Sequence, residues 1–142
     1  GLFADGTVNA AYRAAAEAII GASCRLTFWL DDEAQMHAVT AVSGSGSAYV
    51  FYLMHALQQA AQGLGFGADE ARALSLQTFH GAVELAAQSG ADFATLQDAV
   101  TSKGGTTFAA LETFRRRAVA EHLREGVNAA AARSVELGRD LG

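Results

Sequence analysis

The sequence contains no proline, one cysteine, no apolar run long enough to span a bilayer, and fewer basic than acidic side chains. Each absence narrows the reading. Without proline, no helix start has its φ fixed in advance by a pyrrolidine ring. Cys24 forms no internal disulfide and completes no zinc motif, which fits a reducing compartment. With no helix start or histidine beside it, it is expected to be a small packed residue and not a nucleophile. The longest apolar run, Ala48 to Leu57 interrupted only by His55, falls well short of the roughly 20 residues a membrane-spanning helix requires. No signal-peptide pattern is present, so a cytoplasmic protein with no membrane partner is expected. A formal charge of -5 and a pI near 5.2 exclude nucleic acid and anionic lipid as main partners, because neither is drawn to an acidic domain. Arg115, Arg116 and Arg117 form the one basic cluster and read as a solvated helix face. His37, His55, His80 and His122 include no pair at metal-ligand spacing, so no metal is expected. Ser43, Ser45 and Ser102 have no evident base for a hydrolase triad.

What is present is apolar and helical. Hydrophobic residues outnumber charged ones by 51% to 18%, and the mean hydropathy is +0.15. That balance excludes disorder and implies more apolar surface than a lone monomer tolerates, so part of it is expected to meet another chain. The 142 residues fit a single domain. Alanine, leucine, glutamine and glutamate dominate, and apolar residues recur at helical spacing almost throughout, which predicts an all-α fold. A first helix is predicted over Val8 to Ile20, with Val8, Ala11, Tyr12, Ala15 and Ile19 on one face. RLTFWL, Arg25 to Leu30, reads as a short strand or an extended link, and Asp31 to Glu33 as the opening of a short helical turn. From Ala48 to about Gln62 the chain is apolar nearly all round, the pattern of a helix buried on every side, in a large domain or by a partner subunit. Asp69 and Glu70 occupy the first turn of the next helix, where the dipole favours them, and Ser89-Gly90 closes it. Asp92 is the expected N-cap of a short helix through Ala99. A helix from about Gly105 to Phe114 and a last one from about Ala118 to Leu137 follow. Small residues along the last one predict close packing. No internal repeat or low-complexity linker is found.

Two glycine-rich stretches, Ser43 to Ser47 and Ser102 to Thr107, read as hydroxyl-rich loops feeding helices. At such a place the first backbone N–H groups lack helical partners and the dipole favours negative charge. Neither stretch is a phosphate loop, since Lys103 precedes its glycines, and neither is a dinucleotide fingerprint. From the residues alone, Ser102 to Thr107 is either a carboxylate or phosphate site or a plain helix-capping turn.

The stretches AVSGSGSAYVFYLMHALQQAAQGLGF, LSLQTFHGAVELA, DAVTSKGGTTFAALE and VNAAAARSVELG resemble, in order and spacing, the C-terminal domain of pyrroline-5-carboxylate reductase. That enzyme completes proline synthesis. The resemblance covers essentially the whole chain. It implies a multi-helix bundle forming an intertwined homodimer, like the C-terminal domain of 6-phosphogluconate dehydrogenase, sometimes assembled into a higher oligomer. It also implies a reaction in which 1-pyrroline-5-carboxylate is reduced to L-proline by hydride from NADPH or NADH. The family's N-terminal Rossmann domain has no counterpart here, so the 142 residues are expected to be the dimerisation and substrate-binding half, inactive alone. By resemblance, Ser102, Gly105 and Thr106 receive the substrate carboxylate, and Thr107 bonds the ring nitrogen as the catalytic residue. Ala99 and Val100 lie near the nicotinamide. The family usually has proline where this chain has Ser47, and in many members where it has Lys103. A purely structural helical oligomerisation module, and a reductase domain for another cyclic imine acid, are the competing readings.

Overall fold

A computed structural model describes residues 1–141. Among them the structure is helical without strands: α1 (Ala10–Gly21), α2 (Gln35–Val39), one π-helical turn (Thr40–Gly44), α3 (Gly46–Gly63), α4 (Ala68–Ser89), α5 (Phe93–Ala99), α6 (Thr106–Arg116) and α7 (Val119–Leu141). The chain divides into two compact units, one of Gly1–Gly46 with the segment from Glu125 onward, the other Ser47–Arg124. No helix among the described residues is long and apolar enough to cross a membrane.

In the first unit, α1 starts two residues later than the apolar pattern predicts. The Asn9 side chain accepts from the Tyr12 N–H at 3.0 Å and caps the helix. Just before it, the Asp5 carboxylate takes the Thr7 N–H and hydroxyl and turns the chain at Val8. RLTFWL is an extended link with a single parallel bridge, Leu2 donating to Phe28 O at 2.9 Å and Leu30 donating to Leu2 O at 2.8 Å. Cys24, expected to be packed, is exposed, because it follows the end of α1, where Ser23 and Cys24 both donate to Ile20 O.

The stretch Ser43 to Ser47 is not a loop. Ser45 donates to Thr40 O at 2.9 Å, a five-residue reach that closes a π turn, and α3 begins at Gly46. Neither Gly44 nor Gly46 has a positive φ, so neither glycine turns the chain out of helical backbone there. In the same unit α7 meets α2 at His37, whose Nδ1 lies 2.9 Å from Ser134 Oγ. A Cβ at Gly138 would approach the His37 ring to 3.3 Å, so the small residues of α7 do permit close approach.

In the second unit, α4 has the predicted ends. The Glu70 carboxylate accepts the Gly67 N–H at 3.1 Å, and Gly90 adopts φ 66, the left-handed stop that glycine supplies without a Cβ penalty. Residues of α3 and α4 line a cleft of about 230 Å³, Phe51, Met54, His55 and Gln58 from the one and Arg72, Ser75 and Leu76 from the other. Ala71 and Ser75 of α4 are buried, and the Ser75 hydroxyl donates back to Ala71 O at 2.9 Å. No residue of α3 is buried. Burial on every side, which its composition predicts, is therefore not supplied by this chain: Phe51 is 67% and Tyr52 75% exposed.

Between α6 and α7 the chain turns at Ala118 with φ 53. A β-carbon there meets the following carbonyl, at a cost of roughly 1–2 kcal/mol that glycine avoids. Ala118→Gly is expected to stabilise the protein by about 0.5–1 kcal/mol, after allowing for the greater freedom of glycine in the unfolded chain. Denaturant unfolding at fixed protein concentration measures this, and a lower midpoint with an unchanged slope is the contrary result.

Candidate functional site

The candidate site lies between α5 and α6, and α5 is built to deliver it. Asp92 caps α5 by accepting the Thr95 N–H and hydroxyl, each at 2.9 Å. Those two bonds hold the Asp92 carboxyl below its ordinary pKa. The cap is therefore fully formed above the usual carboxylate range and is lost as pH falls through the lowered folded value. At the other end of α5, Thr101 donates its N–H to Asp98 O at 3.0 Å and its hydroxyl to Gln97 O at 2.6 Å. One of the four hydroxyls before and within the turn is thus occupied locally.

Ser102, Lys103, Gly104 and Gly105 then form a four-residue turn closed by the Gly105 N–H donating to Ser102 O at 3.0 Å. Gly104, its third residue, has φ 75, the positive value that a type II turn requires. Gly105 is the N-cap of α6 and carries no capping side chain. The first helical bond behind it runs from the Ala109 N–H to Gly105 O at 3.1 Å. The N–H groups of Thr106, Thr107 and Phe108 have no acceptor among the described residues, as expected for the first turn of a helix. The hydroxyls of Ser102, Thr106 and Thr107 are also without a protein partner there.

The structure thus brings Ser102, Gly105, Thr106 and Thr107 together at one helix start, exposed or half-exposed. The Gly105 amide is donated within the turn, and the amides without an acceptor among the described residues are those of Thr106, Thr107 and Phe108. The Phe108 amide is not among the donors that the family resemblance names. The N-terminal end of a helix carries roughly half a positive charge, and Lys103, with no ion pair among the described residues, adds to it. The arrangement suits a small anion. Ala99 ends α5, and Val100, 60% exposed, lies on the lip of an apolar groove of about 480 Å³ whose walls include Ala82, Leu85, Phe93 and Leu96. No cluster of three or more potential metal ligands occurs among the described residues.

A family model described as pyrroline-5-carboxylate reductase dimerisation matches residues 33–137. The chain belongs to that family. It is 44% identical to the pyrroline-5-carboxylate reductase of Pseudomonas aeruginosa over 142 residues, all of this chain and 52% of that protein. Over 138 residues it is 39% identical to the Haemophilus influenzae reductase, covering 96% of this chain and 51% of that one. Among solved structures, the Coxiella burnetii pyrroline-5-carboxylate reductase superposes with a TM-score of 0.89 at 38% identity, over 96% of this chain and 50% of that one. The Plasmodium falciparum pyrroline carboxylate reductase, solved with NADP bound, gives 0.83 at 28% identity, over 94% of this chain and 53% of that one. The chain spans about half the length of the curated relatives it matches. The all-α fold expected of this dimerisation family is the fold observed.

The turn geometry would accept proline at Lys103. The second position of a type II turn favours proline, the Lys103 N–H has no acceptor among the described residues, and its φ is not positive. Lys103→Pro is therefore expected to stabilise the protein by about 0.4–1 kcal/mol through the unfolded state. A drop in the unfolding midpoint would show that the turn does not accept proline.

Proposed function

We propose that the chain is the dimerisation and substrate-binding half of a pyrroline-5-carboxylate reductase, acting as a homodimer in the reduction of 1-pyrroline-5-carboxylate to L-proline. The observation that carries this reading is the set of free donors at the start of α6, in a chain of this family: three uncapped amides, Thr106 to Phe108, and the hydroxyls of Ser102 and Thr106. Together they match a carboxylate, which accepts several hydrogen bonds at once. The Thr107 hydroxyl, on the second residue of α6, is assigned to the ring nitrogen. That the Gly105 amide closes the turn, and that a helix start leaves its first amides free in any case, is equally true of a plain capping turn; membership of the family is what favours the substrate site.

The exposed, apolar Val100 beside Ala99 fits contact with the flat nicotinamide ring of NADPH or NADH, and we assign the rest of the cofactor to the half of the relatives' length that this chain does not span. The bound cofactor supplies the hydride. The residues of this chain anchor the carboxylate at the α6 start and hold the imine nitrogen at Thr107, which fixes the C=N carbon in one orientation.

The dimer is proposed from the uncovered apolar faces. Tyr12 and Ile19 of α1 in the first unit, and Phe51 and Tyr52 of α3 in the second, are exposed, and apolar surface of this kind on either unit marks an interface. Titrating L-proline into the protein while following amide shifts tests the site. Perturbation is expected at Ser102 to Phe108, and saturating proline without change there would refute it.

A further inference from the structure

Gly105 differs from Gly104 in what it requires of glycine. With φ -78 and ψ -179 its backbone is ordinary extended chain, which any residue adopts. Its amide is already donated to Ser102 O. What a side chain would meet is Ser102: a Cβ on Gly105 would lie 2.5 Å from Ser102 Oγ and 3.2 Å from Ser102 O. The hydroxyl thus occupies the volume a side chain would take. The N-cap is also where Ser, Thr, Asp or Asn ordinarily folds back onto the second or third amide of the helix, and glycine leaves those amides open.

We propose that Gly105 is a positioning residue for Ser102: lacking a side chain, it seats the Ser102 hydroxyl against the α6 start and leaves the Thr107 and Phe108 amides uncapped, so both sets of donors serve one carboxylate. This rests on the substrate-site reading above and changes the role of Gly105 within it, from hydrogen-bond donor to spacer.

The test is a double-mutant cycle with L-proline as the probe. Gly105→Ala and Ser102→Ala are each expected to weaken proline binding by about tenfold, the scale of one hydrogen bond to a charged group. Once Ser102 has lost its hydroxyl, adding Gly105→Ala should cost less than about threefold more, because residues acting as a unit are not additive. Fully additive losses would overturn the proposal, since a general disturbance of the turn does not depend on the hydroxyl. A crystal structure of Gly105→Ala gives a reading independent of ligand. The Ser102 hydroxyl is expected to move by about 1 Å or more, a displacement large enough to disturb a binding geometry, and an unmoved hydroxyl sinks the idea. If Gly105→Ala fails to fold, recovery of folding in Ser102→Gly/Gly105→Ala supports the steric argument, and no recovery refutes it. If the unaltered protein binds no proline, the substrate-site reading fails, while the crystal structure still decides whether Gly105 seats the hydroxyl.

Discussion

Thr107→Ala, introduced into a full-length reductase carrying this chain, is expected to lower kcat/KM for 1-pyrroline-5-carboxylate by about 10- to 150-fold. The estimate follows from one hydrogen bond to a charged group, about 1.5 to 3 kcal/mol. The substitution is unusually clean. The Thr107 hydroxyl has no partner among the described residues, so its removal strands no protein group. Alanine is the better helix former at an exposed helical position, so the unfolding midpoint should stay or rise while activity falls. Thr107→Ser, which keeps the hydroxyl, should retain most of kcat/KM. Equal kcat/KM for the threonine and alanine enzymes would remove Thr107 from the chemistry, and a parallel loss of stability would point to folding instead.

The elements legible in the sequence are those whose ends are set by local chemistry. Gly90 had to stop α4 because its φ is one that other residues resist, and Asp92 had to cap α5 because its carboxylate reaches the third amide. Ser43 to Ser47 was misleading for the opposite reason. Glycine and serine are common in loops but neither forbids helix, and the five-residue bond from Ser45 to Thr40 has no residue signature. Ala118 gave no warning of its left-handed turn, since alanine has no preference for that region. At the site, the glycines and hydroxyls announced a helix start, yet the sequence did not reveal which amide closes the turn. That depends on how far the Ser102 carbonyl reaches, a fact of three dimensions. α3 is the instructive case: its pattern asks for burial on every side, and this chain buries none of its residues.

That mismatch makes Tyr52→Asp the second informative substitution. α3 carries no Asp, Glu, Lys or Arg across Gly46–Gly63. Phe51, Met54, His55 and Gln58 line the cleft toward α4, and at 100° per residue Tyr52, Leu53, Ala56 and Leu57 fall on the remaining side. Tyr52 is 75% exposed, and Leu53 and Leu57 are also exposed. A carboxylate at 52 would stay in water in the separate chain, so the fold should lose little, within about 0.5 kcal/mol for an exposed position. In a dimer that covers this face, the same carboxylate would be buried without a partner. Each such burial costs about 3–5 kcal/mol, and a symmetric dimer holds two, so the dimer Kd should rise by at least roughly 150- to 5,000-fold, the equivalent of one. Sedimentation equilibrium over a range of concentrations reads this directly. The unaltered protein is expected to be dimeric and the variant folded but monomeric at micromolar concentration. A variant with unchanged Kd would take the Tyr52 face out of the interface. A monomeric parent would leave the apolar surface of α3 without the partner that its composition demands.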